Sequence, residues 1–113
     1  MSAVIPDTNP GLWNLLILKG ATWPGTTISM TRDGATIIPA SAALTIHTPD
    51  GTLQVTLNCT IDGGGVMTVP SIPAATTGAY TWTYGNLLFR VVEGSGRVTD
   101  LLAGNATVVS RSD

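Results

Sequence analysis

From residue 42 the chain alternates. Ala42, Leu44 and Ile46 fall on one side of an extended backbone and Thr45 and His47 on the other, a period of two that marks a strand with one buried face. Thr48-Pro49-Asp50-Gly51 then interrupts the pattern, because proline fixes its own φ and Asp-Gly tolerates the positive φ of a tight turn. The alternation resumes with Leu53, Val55, Leu57 and Cys59 inward and Thr52, Gln54, Thr56 and Asn58 outward. Residues 42–60 are therefore predicted as one β-hairpin.

The same grammar recurs along the chain. Asp33-Gly34 and Asp62-Gly63 each follow a strand-like segment, and Gly94-Ser95-Gly96 separates two apolar runs. Strands are predicted at about 12–19, 26–31, 42–48, 52–60, 66–69, 79–84, 87–93 and 104–110. The one helical turn expected is residues 73–78, and Gly20 to Gly25 reads as a connection between two strands. In residues 79–84, Tyr80, Trp82 and Tyr84 share a face, which places them in the middle of the core. The other core candidates are Leu16, Leu18, Ile28, Leu44, Ile46, Leu53, Val55, Leu57, Phe89, Val91 and Val108.

Turn signals at this spacing predict an all-β protein, a single antiparallel β-sandwich, immunoglobulin-like or jelly-roll-like, of about seven to nine strands. Residues 1–12, with Pro6 and Pro10, read as an extended N-terminal arm, and residues 13–113 as the sandwich domain.

Composition narrows the function. Charged residues make up 11% of the 113-residue chain and apolar ones 43%, with a mean hydropathy of +0.32, whereas soluble proteins carry roughly 25% charge. The longest clean apolar run, Leu15 to Leu18, is far shorter than the ~18 residues of a spanning helix, so no membrane is expected as a partner. The opening residues lack the basic and apolar regions of a secretory signal, so cytoplasmic synthesis is expected. A net charge of -2, with Lys19, Arg32, Arg90, Arg97 and Arg111 scattered, offers no basic footprint for nucleic acid.

Reactive chemistry is sparse. The single histidine, His47, and the single cysteine, Cys59, are predicted on opposite faces of one hairpin, which prevents a nucleophile and base pair. A structural zinc needs four ligands mainly of these types, the acids do not have calcium-loop spacing, and the glycine run at 63–65 has no helix or lysine to make a phosphate cradle. No catalytic residue, cofactor, metal or small-molecule substrate is expected. A weakly charged surface loses little when a partner covers it, because few charges are desolvated, so a subunit of an assembly is the natural reading.

Two stretches carry a resemblance. Residues 15–37, "LLILKGATWPGTTISMTRDGATI", resemble the opening of small β-sandwich proteins of tailed bacteriophage particles. Residues 76–109, "TTGAYTWTYGNLLFRVVEGSGRVTDLLAGNATVV", look like their close, with Gly78, Tyr80, Leu101, Leu102 and Gly104 matching. The resemblance implies a virion structural protein of the cement, decoration, tail or baseplate kind, located in the virion and touching other virion proteins, including copies of itself. A strand edge extending a neighbour's sheet and an arm draped over another chain are the contact modes expected. Val4, Ile5, Pro6, Pro10, Trp13, Trp23 and Pro24 are the candidate interface residues, and Trp23 is either a lid over the sandwich end or an exposed anchor. The alternative is a carbohydrate- or receptor-binding module in which Trp13, Trp23 or Trp82 stacks on sugar rings.

Overall fold

The computed structural model describes residues 2–4, 11–32 and 34–110. It is a β-sandwich of a five-stranded and a six-stranded sheet. The strands are β1 (Ser2–Val4), β2 (Gly11–Leu12), β3 (Leu15–Lys19), β4 (Thr26–Arg32), β5 (Ala35–Ile37), β6 (Pro39–His47), β7 (Leu53–Asn58), β8 (Thr60–Ile61), β9 (Met67–Val69), β10 (Tyr84–Glu93) and β11 (Val98–Ser110). One short helix, α1 (Ala74–Gly78), occupies the predicted helical turn.

The first sheet runs β1-β4-β9-β8, with β5 also on β4; the second runs β2-β11-β10-β6-β7, with β3 also on β11. Pairing is antiparallel except where the start of the chain is concerned. β1 lies parallel to β4, and β2 and β3 lie parallel to β11. The described part of the predicted arm is thus hydrogen-bonded into both sheets of its own molecule.

The chain crosses between the layers at single residues. β5 ends in the first sheet and β6 begins in the second, with only Ile38 between them. β7 leaves the second sheet and β8 enters the first across Cys59, whose N–H donates to the Ala42 carbonyl at 2.9 Å.

The predicted hairpin forms as β6 and β7. At its tip the Gly51 N–H donates to the Thr48 carbonyl at 2.8 Å with Gly51 at φ +90°, and the Asp50 carboxylate accepts from the Thr48 hydroxyl at 2.6 Å and the Thr52 N–H at 2.9 Å. The glycine run at 63–65 is organised in the same way: the Asp62 carboxylate accepts from the Gly64 and Val66 N–H groups at 2.8 and 3.0 Å. The Asp33-Gly34 turn has Asp33 outside the described residues.

The core lies between the sheets. Phe89, Ile17, Ile28, Met30, Leu44, Ile46, Met67, Val69, Val91 and Leu101 are fully buried, each removing enough apolar surface from water to stabilise the fold by about 1.5–3 kcal/mol. Three expectations are corrected. In β3 the buried positions are Leu15 and Ile17, while Leu16 and Leu18 face outward. Leu53 is also outward, because a bulge lets His47 pair with Leu53 directly after Ile46 pairs with Val55, so Gln54 is an extra residue that reverses the face. Finally, residues 79–83 are not a strand. Trp82 is buried and packs on Tyr80 with ring centroids 5.2 Å apart, but Tyr84 starts β10 and is exposed, its hydroxyl donating to Asn105 Oδ1 at 2.8 Å.

Candidate functional site

The outer face of the six-stranded sheet holds a shallow trough. Ala42, Leu44 and Ile46 of β6 point into the core, which forces Ser41, Ala43, Thr45 and His47 outward. These four are mostly small, whereas the flanking strands present longer side chains: Leu88, Arg90 and Val92 from β10, Leu53 and Asn58 from β7. A low row between two higher ones makes a depression along β6, of about 420 Å³. The strand rise of ~3.3 Å per residue gives it a length of roughly 20 Å from Ser41 to His47.

The face is nearly without charge. Arg90 and Asp100 are register partners on β10 and β11 and form a two-point ion pair, Nε to Oδ1 at 2.7 Å and a second guanidinium nitrogen to Oδ2 at 3.4 Å. Both groups are about half exposed, so the pair adds little stability, but it fixes the guanidinium along the trough wall. Beyond it, Leu88 and Leu12 both register on Ala103, Leu16 on Thr107 and Leu18 on Val109. Leu12 is 78% exposed and Leu16 59%, so the apolar surface continues past the trough to the β2 and β3 edge.

Asn14 and Gly104 shape that edge. Between β2 and β3 the Asn14 side chain replaces a backbone acceptor, taking the Asn105 N–H at 3.1 Å, while the Trp13 N–H donates to the Ala103 carbonyl at 3.0 Å. The kink fits only against glycine: a Cβ on Gly104 would lie 2.1 Å from the Trp13 carbonyl oxygen.

The residues singled out from the sequence fall elsewhere. Trp13 is half-buried with its ring edge-on to Phe89 at 6.2 Å. Trp23 forms a bridge with Ile72 and packs against the core, which is the lid arrangement. Pro24 is exposed, Val4 ends β1 opposite Thr31, and Ile5, Pro6 and Pro10 lie outside the described residues. Neither Trp13, Trp23 nor Pro24 lines the trough. Of the tryptophans named for sugar stacking, Trp82 is buried in the core and Trp13 and Trp23 are half-buried against it, so none of the three is fully exposed.

His47 lies in the trough on the outward side of β6, and Cys59 packs against the core at the crossing between sheets. Burial pushes the Cys59 thiol up to about 11. Among the described residues no group of three or more His, Cys, Asp or Glu side chains is placed to hold a metal ion, and no helix is long and apolar enough to cross a membrane.

No protein-family model matches the chain, and no curated protein matches it in sequence. Among solved structures it is similar to CopC from Methylosinus trichosporium OB3b, with a TM-score of 0.51 and 13% identity, covering 88% of this chain and 88% of that one. At that identity the likeness is one of fold alone. It corrects the expected assignment to a bacteriophage virion structural protein: the solved protein found to share the fold, CopC, is not a phage structural protein. The motifs at 15–37 and 76–109 fold largely into strands and turns of the sandwich, so they report its geometry and not a role.

Proposed function

We propose that this protein is a non-catalytic binding module that receives a stretch of another protein's chain in the trough along β6. The observation that carries the reading is the trough itself, floored by Ser41, Ala43 and Thr45 and walled by Leu53, Asn58, Leu88, Arg90 and Val92. A surface of this composition gives up few hydrated charges when covered, and its walls leave room for about six residues of extended chain. The ligand is expected to carry small apolar and uncharged polar side chains, because only Arg90 among the trough residues bears a full charge and Asp100 already holds it.

Photo-cross-linking tests this in the native host. A benzoylphenylalanine at Thr45 is expected to give a discrete protein adduct that the same group at Thr68, exposed on the other sheet, does not give. Adding Ala43→Trp, which fills the trough, should abolish the adduct. Equal labelling from both positions, or an adduct that survives Ala43→Trp, would remove the basis for the proposal.

A further inference from the structure

We infer that a second copy of this chain pairs antiparallel along the free edge of β7, joining two six-stranded sheets into one. Among the described residues β7 has a hydrogen-bonded neighbour, β6, on one side only. A row of unpaired backbone groups is normally guarded by charge, proline, brevity or an interruption. The other edges have such guards: β8 has two residues, β1 and β5 three each, and the β2 and β3 edge is broken at Trp13-Asn14 and ends on Lys19. β7, with the sequence Leu-Gln-Val-Thr-Leu-Asn, has neither charge nor proline, and its one interruption, the bulge at Gln54, lies at its start and leaves Val55 to Asn58 regular.

The backbone geometry indicates which groups are available. The Cys59 N–H donates to Ala42 and Ala43 pairs with Asn58, which makes Ala43 and Asn58 a non-hydrogen-bonded pair. By the alternation of an antiparallel ladder, Leu57 and Val55 then bond to β6, while Thr56 and Asn58 direct their N–H and C=O groups to the open side.

An antiparallel edge of this kind is complementary to itself across a two-fold axis, and the occupant follows from that. With no charge on the strand, a copy meets no like charge opposite. The register centred on Thr56 uses the regular stretch after the bulge, sets Val55 against Leu57 of the copy on the core side, and makes Thr56 face Thr56 as a hydrogen-bonded pair. Leu53 and Asn58 of β7 also wall the trough, so the two troughs would lie on one continuous face with their β6 floors roughly 14 Å apart at the usual strand spacing. The pairing does not depend on what the trough binds.

Two measurements test it. Light scattering after gel filtration, at concentrations up to millimolar, should show a species of twice 11.6 kDa that Thr56→Pro converts to monomer. That proline removes an N–H pointing away from β6, so the variant should keep its folded circular dichroism. In the second, Thr56→Cys in a Cys59→Ala background places two Cα atoms about 5.5 Å apart, within disulfide range. Mild oxidation should give a covalent dimer at least tenfold faster than Leu16→Cys in the same background. A wild-type monomer at millimolar concentration, or equal cross-linking from positions 56 and 16, overturns the inference, and the cysteine result decides if Thr56→Pro fails to fold.

Discussion

Replacing Thr77 by valine removes one oxygen from the interior and leaves the shape of the side chain nearly unchanged. That oxygen holds the end of the sandwich together. The Thr77 hydroxyl donates to the Ala21 carbonyl at 2.8 Å, lies 3.1 Å from the Ala74 carbonyl, and accepts the Gly20 N–H at 3.1 Å. Thr77 is fully buried, and α1 has no side-chain cap at Pro73, so a helix of one turn relies on this tether to the loop after β3. An orphaned buried polar group costs about 1–3 kcal/mol. Because Gly20 is exposed and Ala21 only half-buried, water can reach part of the site, and a loss of about 2 kcal/mol is expected. Thr77→Ser keeps the oxygen and loses one buried methyl, for about 1 kcal/mol. At about 4 °C per kcal/mol for a domain of this size, the valine variant should melt about 8 °C below wild type and the serine variant about 4 °C. Urea unfolding followed by tryptophan fluorescence gives the free energies, and hydrogen exchange at the Gly20 amide gives the local effect. A valine variant as stable as wild type, or a serine variant less stable than valine, would refute the reasoning.

Other outcomes follow from single features. Gly104→Ala should cost about 2–4 kcal/mol in denaturant unfolding and alter Trp13 fluorescence, since its Cβ would meet the Trp13 carbonyl at 2.1 Å and backbone must move. With its thiol pushed up to about 11 from an ordinary 9.0, Cys59 should react with a disulfide reagent at pH 8 roughly 100-fold more slowly in the folded protein than in denaturant. Hydrogen bonds from Thr48 and Thr52 hold the Asp50 carboxyl below its ordinary 3.8. Its contribution to the turn is therefore complete above that pH and is lost as pH falls below it, toward the folded value. An NMR titration in which Asp50 has its midpoint at or above 3.8 would contradict this.

How much of this the sequence contained depended on whether polar residues fixed the phase. The hairpin of β6 and β7 was legible because Thr45 and His47 alternate with Ala42, Leu44 and Ile46. In "LLIL" of β3 both faces are aliphatic, so nothing marks which pair is inside, and the side facing Phe89 and its neighbours decides it. Leu53 was misplaced because the bulge at Gln54 leaves no trace in an alternation that otherwise continues unbroken. Residues 79–84 have strand-like alternation, but 79–83 follow α1 as irregular chain and only Tyr84 belongs to a ladder, so the spacing of Tyr80 and Trp82 reflected local packing. The trough was out of reach of periodicity. Its floor was readable as the outward side of β6, but its depth arises from contrast with side chains of β10 and β7, and which strands flank β6 is a matter of topology.

The parallel pairing of β3 with β11 has a kinetic consequence. Ile17 sits opposite Val108, so one of the earliest core strands has no strand partner until one of the latest has been synthesised. A ribosome-bound chain can form the middle hairpin early, yet β3 must wait without its strand partner, Leu15 and Ile17 not yet locked into the core, until Ser110 clears the exit tunnel. Completion of this fold is thus tied to the end of the strand's translation, and the interval before it is when the nascent protein most needs shielding from other chains.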